Sequence, residues 1–334
     1  MDIDYPTHLH DLHVEFPLAP EHYDDRLCTT LFNKKHYLVH SQILQYYVRN
    51  GLQISKVHSV WVFNQNTVFK SYVNRNIDMR RKNKNNKALS DMYKLLNNSL
   101  YGKTLENAFK YRRFSVKKAK TEGPYGRVNS FLSYVKNFLE IDEYFLCELE
   151  NNLVRLDKPV QLGFAILELA KLEVYKFYYN LKWKFSDRLQ LLYHDTDSLI
   201  LYFQNCHQHP LLTMIQDVQI GPCLDYENAP DNYVIRTYGT EKVPGLWSDQ
   251  VDCKTITEYV GLRAKTYCVK FLDGECILKN KGVKSSATIA NTNAKINFDD
   301  YKKCLFNNEH IFVDQYLIRS QSHTLYSTRQ KNWH

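Results

Sequence analysis

Two acidic residues between short apolar segments constrain the fold of this chain more than any other feature. Leu189–Tyr193 and Leu199–Phe203 flank the sequence Asp195-Thr196-Asp197-Ser198, a pattern that predicts a strand, a tight turn and a second strand. Carboxylates two residues apart in a strand point to the same face, and a bound cation would remove the repulsion between them. The pattern therefore predicts a rigid site for two magnesium ions. The alternative is an ordinary solvated turn, because Asp, Thr and Ser commonly form turns.

A run of cations predicts a second functional element upstream of this hairpin. Residues 68–107 have a helical pattern, and a dense basic run lies within residues 80–103. If one helix spans that run, four cations lie near one stripe: Arg80, Lys84, Lys87 and Lys94. Such a stripe suits a triphosphate, since lysine acts as a mobile point charge on phosphate oxygens. The alternative is a solvated basic helix that ends in a glycine C-cap.

The C-terminal end of the same helix predicts a nucleotide pocket. Asn98 and Tyr101 follow Lys94 by about one and two helical turns, where they would flank a sugar and a base. Gly102 removes a side chain where a base pair must approach closely. We therefore predict a nucleotide site at Lys94, Asn98 and Tyr101, with Gly102 facing DNA.

The rest of the chain reads as a mixture of helices and strands. A long amphipathic helix is predicted for Pro159–Trp183, and a strand pair for Thr255–Val260 and Thr266–Phe271. Four regions are predicted more coarsely: an irregular entry at 1–25, short strands around a helix at 36–64, β-hairpins with a helix at 108–160, and a mostly helical segment at 285–334. Together these elements predict an α+β fold.

Composition narrows the function classes. With 44% apolar and 24% charged residues, the 334-residue chain is globular rather than disordered or collagen-like. A net charge of +8 together with 25 tyrosines is typical of a protein that binds a polyanion and stacks on its bases, which indicates nucleic acid. No window approaches the ~20 apolar residues of a membrane span, and the acidic start is unlike a signal peptide. We therefore expect an intracellular protein with no membrane partner.

Cysteine and histidine usage predicts no metal-binding module. The eight cysteines are scattered and form no Cys-x-x-Cys pair, which argues against disulfides and a zinc ribbon. The segment Cys206-His207-x-His209 lacks a second ligand pair, and the histidines within residues 8–22 lie among prolines. We expect those histidines to be structural or surface residues.

Three motifs, taken together, resemble those of family B DNA polymerases. Lys94-x-x-x-Asn98-Ser99-Leu100-Tyr101-Gly102 resembles the family's B motif, and Tyr193-x-Asp195-Thr196-Asp197-Ser198 resembles its C motif. Lys265-Thr266-Tyr267 resembles the Lys-x-Tyr motif that follows them, and all three occur in the family's order. Other segments resemble the protein-primed branch, in particular polymerases of Polinton/Maverick-type DNA transposons and related viruses: Tyr5-Pro6, His8–His13, Phe16–Glu21, Glu258–Arg263 and Lys281–Lys284.

The resemblance implies a polymerase right-hand fold with an antiparallel palm sheet. Its parts would follow one another along the chain: an N-terminal palm portion at 1–67, helical fingers at 68–107, an insertion at 108–160, the palm with its catalytic hairpin at 161–275, and a partial helical thumb at 276–334.

The resemblance also implies a role for each motif residue. Asp195 and Asp197 would be the catalytic residues and the ligands of two Mg²⁺ ions. The residues that bind the incoming nucleotide would be Lys94, Asn98, Tyr101, Arg80 and Lys87, and those that bind DNA would be Lys265, Tyr267, Arg263 and Gly102. The partners would be a DNA template–primer, deoxynucleoside triphosphates and a terminal priming protein. The location would be nuclear in a eukaryotic host, or cytoplasmic for a viral source.

One family motif is not found in the sequence. The A motif, Asp-x-x-Ser-Leu-Tyr-Pro, would supply a second metal-binding strand, and Asp2-Ile3-Asp4-Tyr5-Pro6 resembles it only superficially. The exonuclease carboxylate motifs are missing as well. We therefore expect the C-terminal part of a polymerase, weakly active or inactive alone. Two alternatives remain: a non-catalytic DNA-binding remnant, and another palm enzyme such as a reverse transcriptase, which typically carries Asp-Asp at the turn.

Overall fold

A computed structural model describes most of the chain: residues 1–24, 26–118, 135–142, 144–150, 153–206, 209–225, 245–251, 254–281, 296–321 and 324–333. Helices and strands are mixed along it, which confirms the predicted α+β class. The chain forms two compact units. The first comprises Met1–Asp2, His36–Tyr46 and Ile54–Leu169, and the second comprises Ile3–Lys35, Tyr47–Gln53 and Ala170–His334. The right-hand arrangement of palm, fingers and thumb stays a prediction.

The helices and strands follow the chain in this order. The α-helices among the described residues are α1 (His10–His13), α2 (Ser41–Arg49), α3 (Lys70–Lys82), α4 (Lys87–Thr104), α5 (Val160–Phe185), α6 (Pro210–Ile215) and α7 (Phe298–Asn307). The strands are β1 (Asp2–Asp4), β2 (Glu21–Tyr23), β3 (Arg26–Cys28), β4 (Gln53–Lys56), β5 (Arg113–Lys118), β6 (Val135–Ile141), β7 (Tyr144–Leu149), β8 (Leu189–Asp195), β9 (Ser198–Phe203), β10 (Leu224–Asp225), β11 (Trp247–Ser248), β12 (Ile256–Arg263), β13 (Thr266–Phe271), β14 (Cys276–Lys279), β15 (Phe312–Gln321) and β16 (Thr324–Trp333).

The basic run of the first unit does not form one continuous helix. Residues 83–86 separate α3 from α4, so Arg80 lies on α3 whereas Lys87 and Lys94 lie on α4. The prediction that helix covers 68–107 is confirmed in outline, but the four-cation stripe along a single helix is wrong.

Two asparagines make this break. The Asn83 side chain donates to the carbonyl of Met79 at 2.7 Å, and the Asn86 side chain accepts the N–H of Leu89 at 3.2 Å. Asparagine is among the preferred N-cap residues because its side-chain oxygen satisfies a free N–H of the first turn. A capping signal was therefore present in the basic run itself.

A pair of polar side chains holds α3 against α4. Asn76 is buried and donates to the side-chain oxygen of Asn97 at 2.7 Å, and Asn97 donates in turn to the carbonyl of Val73 at 3.5 Å. Buried amides require such partners, since an unsatisfied one costs free energy. The pairing turns Asn97 towards α3 and leaves its neighbour Asn98 exposed.

The segment predicted as an insertion contains a small antiparallel sheet in the order β5-β7-β6. The predicted hairpin is confirmed for β6 and β7, whose strands pair from Val135↔Leu149 to Ile141↔Tyr144. The predicted helix is not found among the described residues between β5 and α5, and residues 119–134 lie outside the described part.

Helix α5 confirms the long helix predicted from its apolar spacing, and its C-terminal half covers the N-terminal segment of the second unit. The hydroxyl of Tyr175 donates to the carbonyl of Pro17 at 2.9 Å, and that of Tyr179 donates to the carbonyl of Phe16 at 2.8 Å. Leu18 is fully buried beside them. The N-terminal segment thus contributes buried residues to the core, and it is less irregular than predicted because β1, α1 and β2 lie within it.

His13 is the most deeply buried ionisable group of this segment. A hydrogen bond of 2.8 Å joins its Nδ1 to the hydroxyl of Tyr5, and its ring lies edge-on to that of Tyr179. Its Nε2 has no hydrogen-bond partner among the described residues. This arrangement suits a neutral imidazole and confirms that His13 is structural.

Two antiparallel sheets of the second unit carry the predicted hairpins. β8 pairs with β9, and β12, β13 and β14 form a three-stranded sheet in that order. Strand β14 was not predicted, although Asp273-Gly274 marks the turn that leads into it. Val260, Cys268, Phe298 and Tyr301 form a buried cluster that packs α7 on this sheet.

The C-terminal segment is not mostly helical. Helix α7 begins in a capping box of Asn297 and Asp300 and ends at an asparagine with positive φ, Asn308. A long hairpin of β15 and β16 follows, paired from Phe312↔Trp333 to Gln321↔Thr324. Elsewhere, the helix predicted within 36–64 is confirmed as α2, but residues 57–63 form no strand.

The buried His13 predicts a stability that depends on pH. Burial lowers the pKa of His13 to about 4, whereas an unfolded histidine titrates near ~6.5. Between these two values a proton binds His13 in the unfolded chain but not in the folded chain. The contribution of His13 to stability is therefore fully present above about pH 6.5 and is lost as the pH drops towards 4. We expect the free energy of unfolding, measured with urea, to fall by ~2 kcal/mol from pH 7 to pH 5 through this group. In a His13→Phe variant the slope should flatten; an unchanged slope would contradict this account.

Candidate functional site

The predicted acidic hairpin is present, and a two-residue turn joins its strands. The ladder ends at Asp195↔Ser198, so Thr196 and Asp197 form the turn. The N–H of Asp197 and the hydroxyl of Ser198 both donate to the carbonyl of Asp195, at 2.7 and 3.1 Å. The prediction of a shared strand face is therefore wrong, because Asp195 is a strand residue and Asp197 is a turn residue. Both acids nevertheless belong to one short rigid element.

Thr196 adopts a strained backbone conformation in this turn. Its φ is 57°, a region that β-branched residues rarely occupy. Such strain costs on the order of 1–3 kcal/mol and is found preferentially at functional sites. Glycine would relieve it, so the threonine is not explained by turn stability.

A second hairpin turn meets the acidic turn. Ala264 and Lys265 join β12 to β13, and the Lys265 ammonium lies 3.0 Å from a carboxylate oxygen of Asp195. The N–H of Lys265 donates to the hydroxyl of Tyr193 at 3.0 Å. The hydrogen bond to Asp195 raises the pKa of Lys265. The structure thus brings two of the predicted motifs into direct contact.

Aromatic rings support this contact. The ring of Tyr193 lies 4.7 Å from that of Tyr267, which in turn lies 6.0 Å from that of Tyr259. Burial raises the pKa of Tyr259 to about 12 and also raises that of Tyr267. The phenols of Tyr259 and Tyr267 are therefore neutral near pH 7. The sequence assigned a binding role to Tyr267 but none to Tyr193 and Tyr259, although both lie in segments that resemble the family.

Arg263 lies at the end of the same hairpin. It pairs with Thr266 across the turn, and its Nε donates to the Thr266 hydroxyl at 3.4 Å. Thr266 is buried, which fixes one side of this contact. Arg263 and Lys265 therefore present two cations at one turn, beside Tyr267.

Helix α4 of the first unit carries the other predicted site. Lys87, Lys94, Asn98 and Tyr101 follow one another by seven, four and three residues, so they share one face of the helix. The first three are exposed, and partial burial raises the pKa of the Tyr101 phenol. The part of the stripe that lies on α4 is therefore confirmed, and Arg80, which is also exposed, belongs to α3.

Gly102 lies inside α4 and does not cap it. The helix continues to Thr104 and its C-cap is Leu105, so the glycine C-cap alternative is wrong. A Cβ atom at Gly102 would meet no described atom within 4 Å. Glycine destabilises a helix interior, and no packing within the described residues requires it here.

Two further kinds of feature concern metal ions and membranes. No group of three or more His, Cys, Asp or Glu side chains placed to hold a metal ion occurs in the part of the chain that the structure describes. His207 lies outside that part, so the Cys206-His207-x-His209 segment is not assessed. Among the described helices, none has the length and apolarity needed to cross a membrane.

Comparison with known families gives one match. Residues 4–182, more than half of the chain, match the family described as DNA polymerase type B, organellar and viral. No curated protein and no solved structure matches the chain. The matched range includes α4 with its predicted nucleotide-binding residues and ends before the acidic hairpin.

Two helical glycines predict opposite effects on stability. Gly102→Ala should raise the free energy of unfolding by up to ~1 kcal/mol, since alanine is the better helix former and meets nothing. Gly163→Ala in α5 should lower it by ~1–3 kcal/mol, because its Cβ would collide with Leu105 and Thr104. Urea unfolding of both variants checks this pair. A destabilised Gly102→Ala chain would show that Gly102 serves the fold.

Proposed function

The chain belongs to the organellar and viral family of type B DNA polymerases, and from this premise we propose that it carries out template-directed DNA synthesis by nucleotidyl transfer. The family acts on DNA and nucleotides. One observation carries the proposal for this chain: the acidic turn with Asp195 and Asp197 is in direct contact with the cationic turn of Lys265. Acids that bind metal and a cation that binds a phosphate backbone are the two parts that such a reaction needs in one place.

The donor set at the acidic turn suits Mg²⁺. Asp195 and Asp197 offer carboxylate oxygens, which are the ligands that Mg²⁺ prefers. The Lys265 ammonium lies 3.0 Å from Asp195, so a positive charge already neutralises this carboxylate. Asp197 is exposed and open to a ligand. When bound, two Mg²⁺ ions would lower the pKa of the primer 3′-hydroxyl and neutralise the pyrophosphate that leaves.

The exposed face of α4 would bind the incoming nucleotide. Lys94 and Lys87 would neutralise the triphosphate, with Arg80 of α3 as a further cation. Asn98 would bind the sugar, and Tyr101 offers a ring for stacking on the base. Asn97 cannot share this task because it holds α3.

The cationic turn would bind the primer strand. Lys265 and Arg263 are two cations beside the ring of Tyr267, a combination that suits phosphates next to a stacked or sugar surface. Lys265 would bind the primer phosphate next to its ion pair with Asp195 of the acidic turn. Gly102 would leave room for the base pair at the edge of α4.

Finer parts of the proposal follow from the resemblance. We propose that a terminal protein supplies the primer, that 68–107 act as fingers and 276–334 as a partial thumb, and that the protein acts in the nucleus of a eukaryotic host or in the cytoplasm for a viral source. Because no second carboxylate strand of the Asp-x-x-Ser-Leu-Tyr-Pro type is found in the sequence, we expect slow synthesis by the chain alone.

Primer extension on a primed DNA template tests the proposal. The purified chain should add deoxynucleotides slowly, at a rate that rises with the Mg²⁺ concentration. Asp197→Asn or Asp195→Asn should reduce this rate by about 10²-fold or more. Asp273→Asn is the matched control, because Asp273 is an exposed acid at another hairpin turn of the same unit. Its rate should stay within about twofold of the unsubstituted chain.

Two results would contradict the proposal. One is extension that survives in Asp197→Asn to the same extent as in Asp273→Asn. The other is salt-dependent DNA binding in a gel shift with no incorporation under any condition, which would favour a DNA-binding remnant.

Primer extension by Gly102→Ala tests the α4 site independently. If the base pair contacts this edge of α4, the variant should extend the primer more slowly even though its fold is more stable.

A further inference from the structure

Glu15 connects the N-terminal segment to the strand that carries Asp195. One of its carboxylate oxygens, Oε2, accepts the Tyr178 hydroxyl at 2.7 Å, the Lys182 ammonium at 3.4 Å and the N–H of Leu191 at 3.3 Å. The first two donors belong to α5 and the third belongs to β8. Glu15 lies in none of the sequence motifs that define the proposed site.

Leu191 is the residue at which β8 changes register. Up to Leu191↔Leu201 the strands pair in one register, and from Tyr193↔Ile200 onwards the register is shifted by one residue. Leu192 is therefore the extra residue of a β-bulge. Bulges re-aim the side chains that follow them and are common next to active sites.

The bulge decides where the two acids lie. Without the bulge, the register of Leu191↔Leu201 would continue along the hairpin and pair His194 with Ser198. The loop would then have three residues, 195–197. With it, Asp195 pairs with Ser198, and Asp197 becomes the second residue of a two-residue turn. The different positions of the two acids are thus a direct consequence of the bulge.

Further contacts hold β8 at the same place. The Lys182 ammonium, which is mostly buried, also donates to the carbonyl of Leu189 at 2.9 Å. Phe16, next to Glu15, lies 4.8 Å from the ring of His194. Lys182, Glu15 and Phe16 therefore contact β8 before, at and after the bulge, respectively.

We propose that Glu15 is a positioning residue for DNA synthesis: by accepting the N–H of Leu191 it fixes the bulge of β8 and so holds Asp195 and Asp197 in place. This inference rests on the proposed function. The carboxylate touches neither acid and acts on them through the strand. A purely structural role would be shared by Tyr175, whose hydroxyl ties the same segment to the same helix through the carbonyl of Pro17.

Three variants, with a fourth held in reserve, separate positioning from stability. Glu15→Met keeps a side chain of similar length but cannot accept a hydrogen bond, and Glu15→Ala replaces it should the methionine variant fold poorly. Glu15→Gln keeps an amide oxygen for Leu191. Tyr175→Phe is the control for general weakening of the segment, since it removes another hydrogen bond between the segment and α5.

Hydrogen exchange and steady-state extension are measured on each full-length variant. In Glu15→Met the Leu191 amide should exchange about tenfold faster or more, relative to amides of the unaltered sheet, and kcat should fall by about tenfold with KM for the nucleotide within about twofold. Glu15→Gln should restore both to within about threefold of the unsubstituted chain. Tyr175→Phe should leave the relative exchange of Leu191 and kcat unchanged.

Each remaining outcome decides against one claim. Unchanged exchange of Leu191 in Glu15→Met overturns the inference, as does an equal loss of kcat in Tyr175→Phe. A loss in Glu15→Gln as large as in Glu15→Met also overturns it, because the acceptor is retained. An unsubstituted chain that incorporates no nucleotide counts against the proposed function. In that case the hydrogen exchange of the Leu191 amide in Glu15→Met still decides whether Glu15 holds the bulge.

Discussion

The ion pair between Lys265 and Asp195 is the interaction on which the account of this protein depends. It joins two hairpin turns that are 70 residues apart in the chain, and the hydrogen bond from the Lys265 N–H to Tyr193 fixes their relative position. Without this contact the acidic turn would be one solvated turn among several. With it, carboxylates, cations and aromatic rings converge at one place, which is what the proposed transfer of a nucleotidyl group to a DNA primer would require.

The support for this contact comes from the start of the chain. Residues 15–18 lie along the C-terminal half of α5, held by tyrosine hydroxyls, and Glu15 extends the support to β8 at its bulge. Tyr178, which donates to Glu15, has a raised pKa because it is buried and bonded to a carboxylate. The acidic turn is therefore the end of a strand that is fixed by long-range contacts, which explains how strain at Thr196 is tolerated.

The parts of the fold that sequence predicted are those with strong local signals. The hairpin around Asp195 and the long helix α5 follow from apolar periodicity, and the Lys265 turn follows from the strand pair that flanks it. The break before Lys87 had a local signal in Asn86 that helical periodicity obscured. The contact of Glu15 with Tyr178 and the packing of His13 on Tyr179 had none, because each joins residues more than 150 positions apart. The β-bulge that separates the two acids is likewise visible only in the pairing register.

The central claim is that the acidic turn binds divalent metal for nucleotidyl transfer. Its most direct test is Mn²⁺ binding followed by electron paramagnetic resonance, with a deoxynucleoside triphosphate and primed DNA present. Asp197→Asn should weaken Mn²⁺ binding to the protein by about tenfold or more, whereas Asp273→Asn should bind Mn²⁺ as the unsubstituted chain does. Equal Mn²⁺ affinity in both variants would contradict the account.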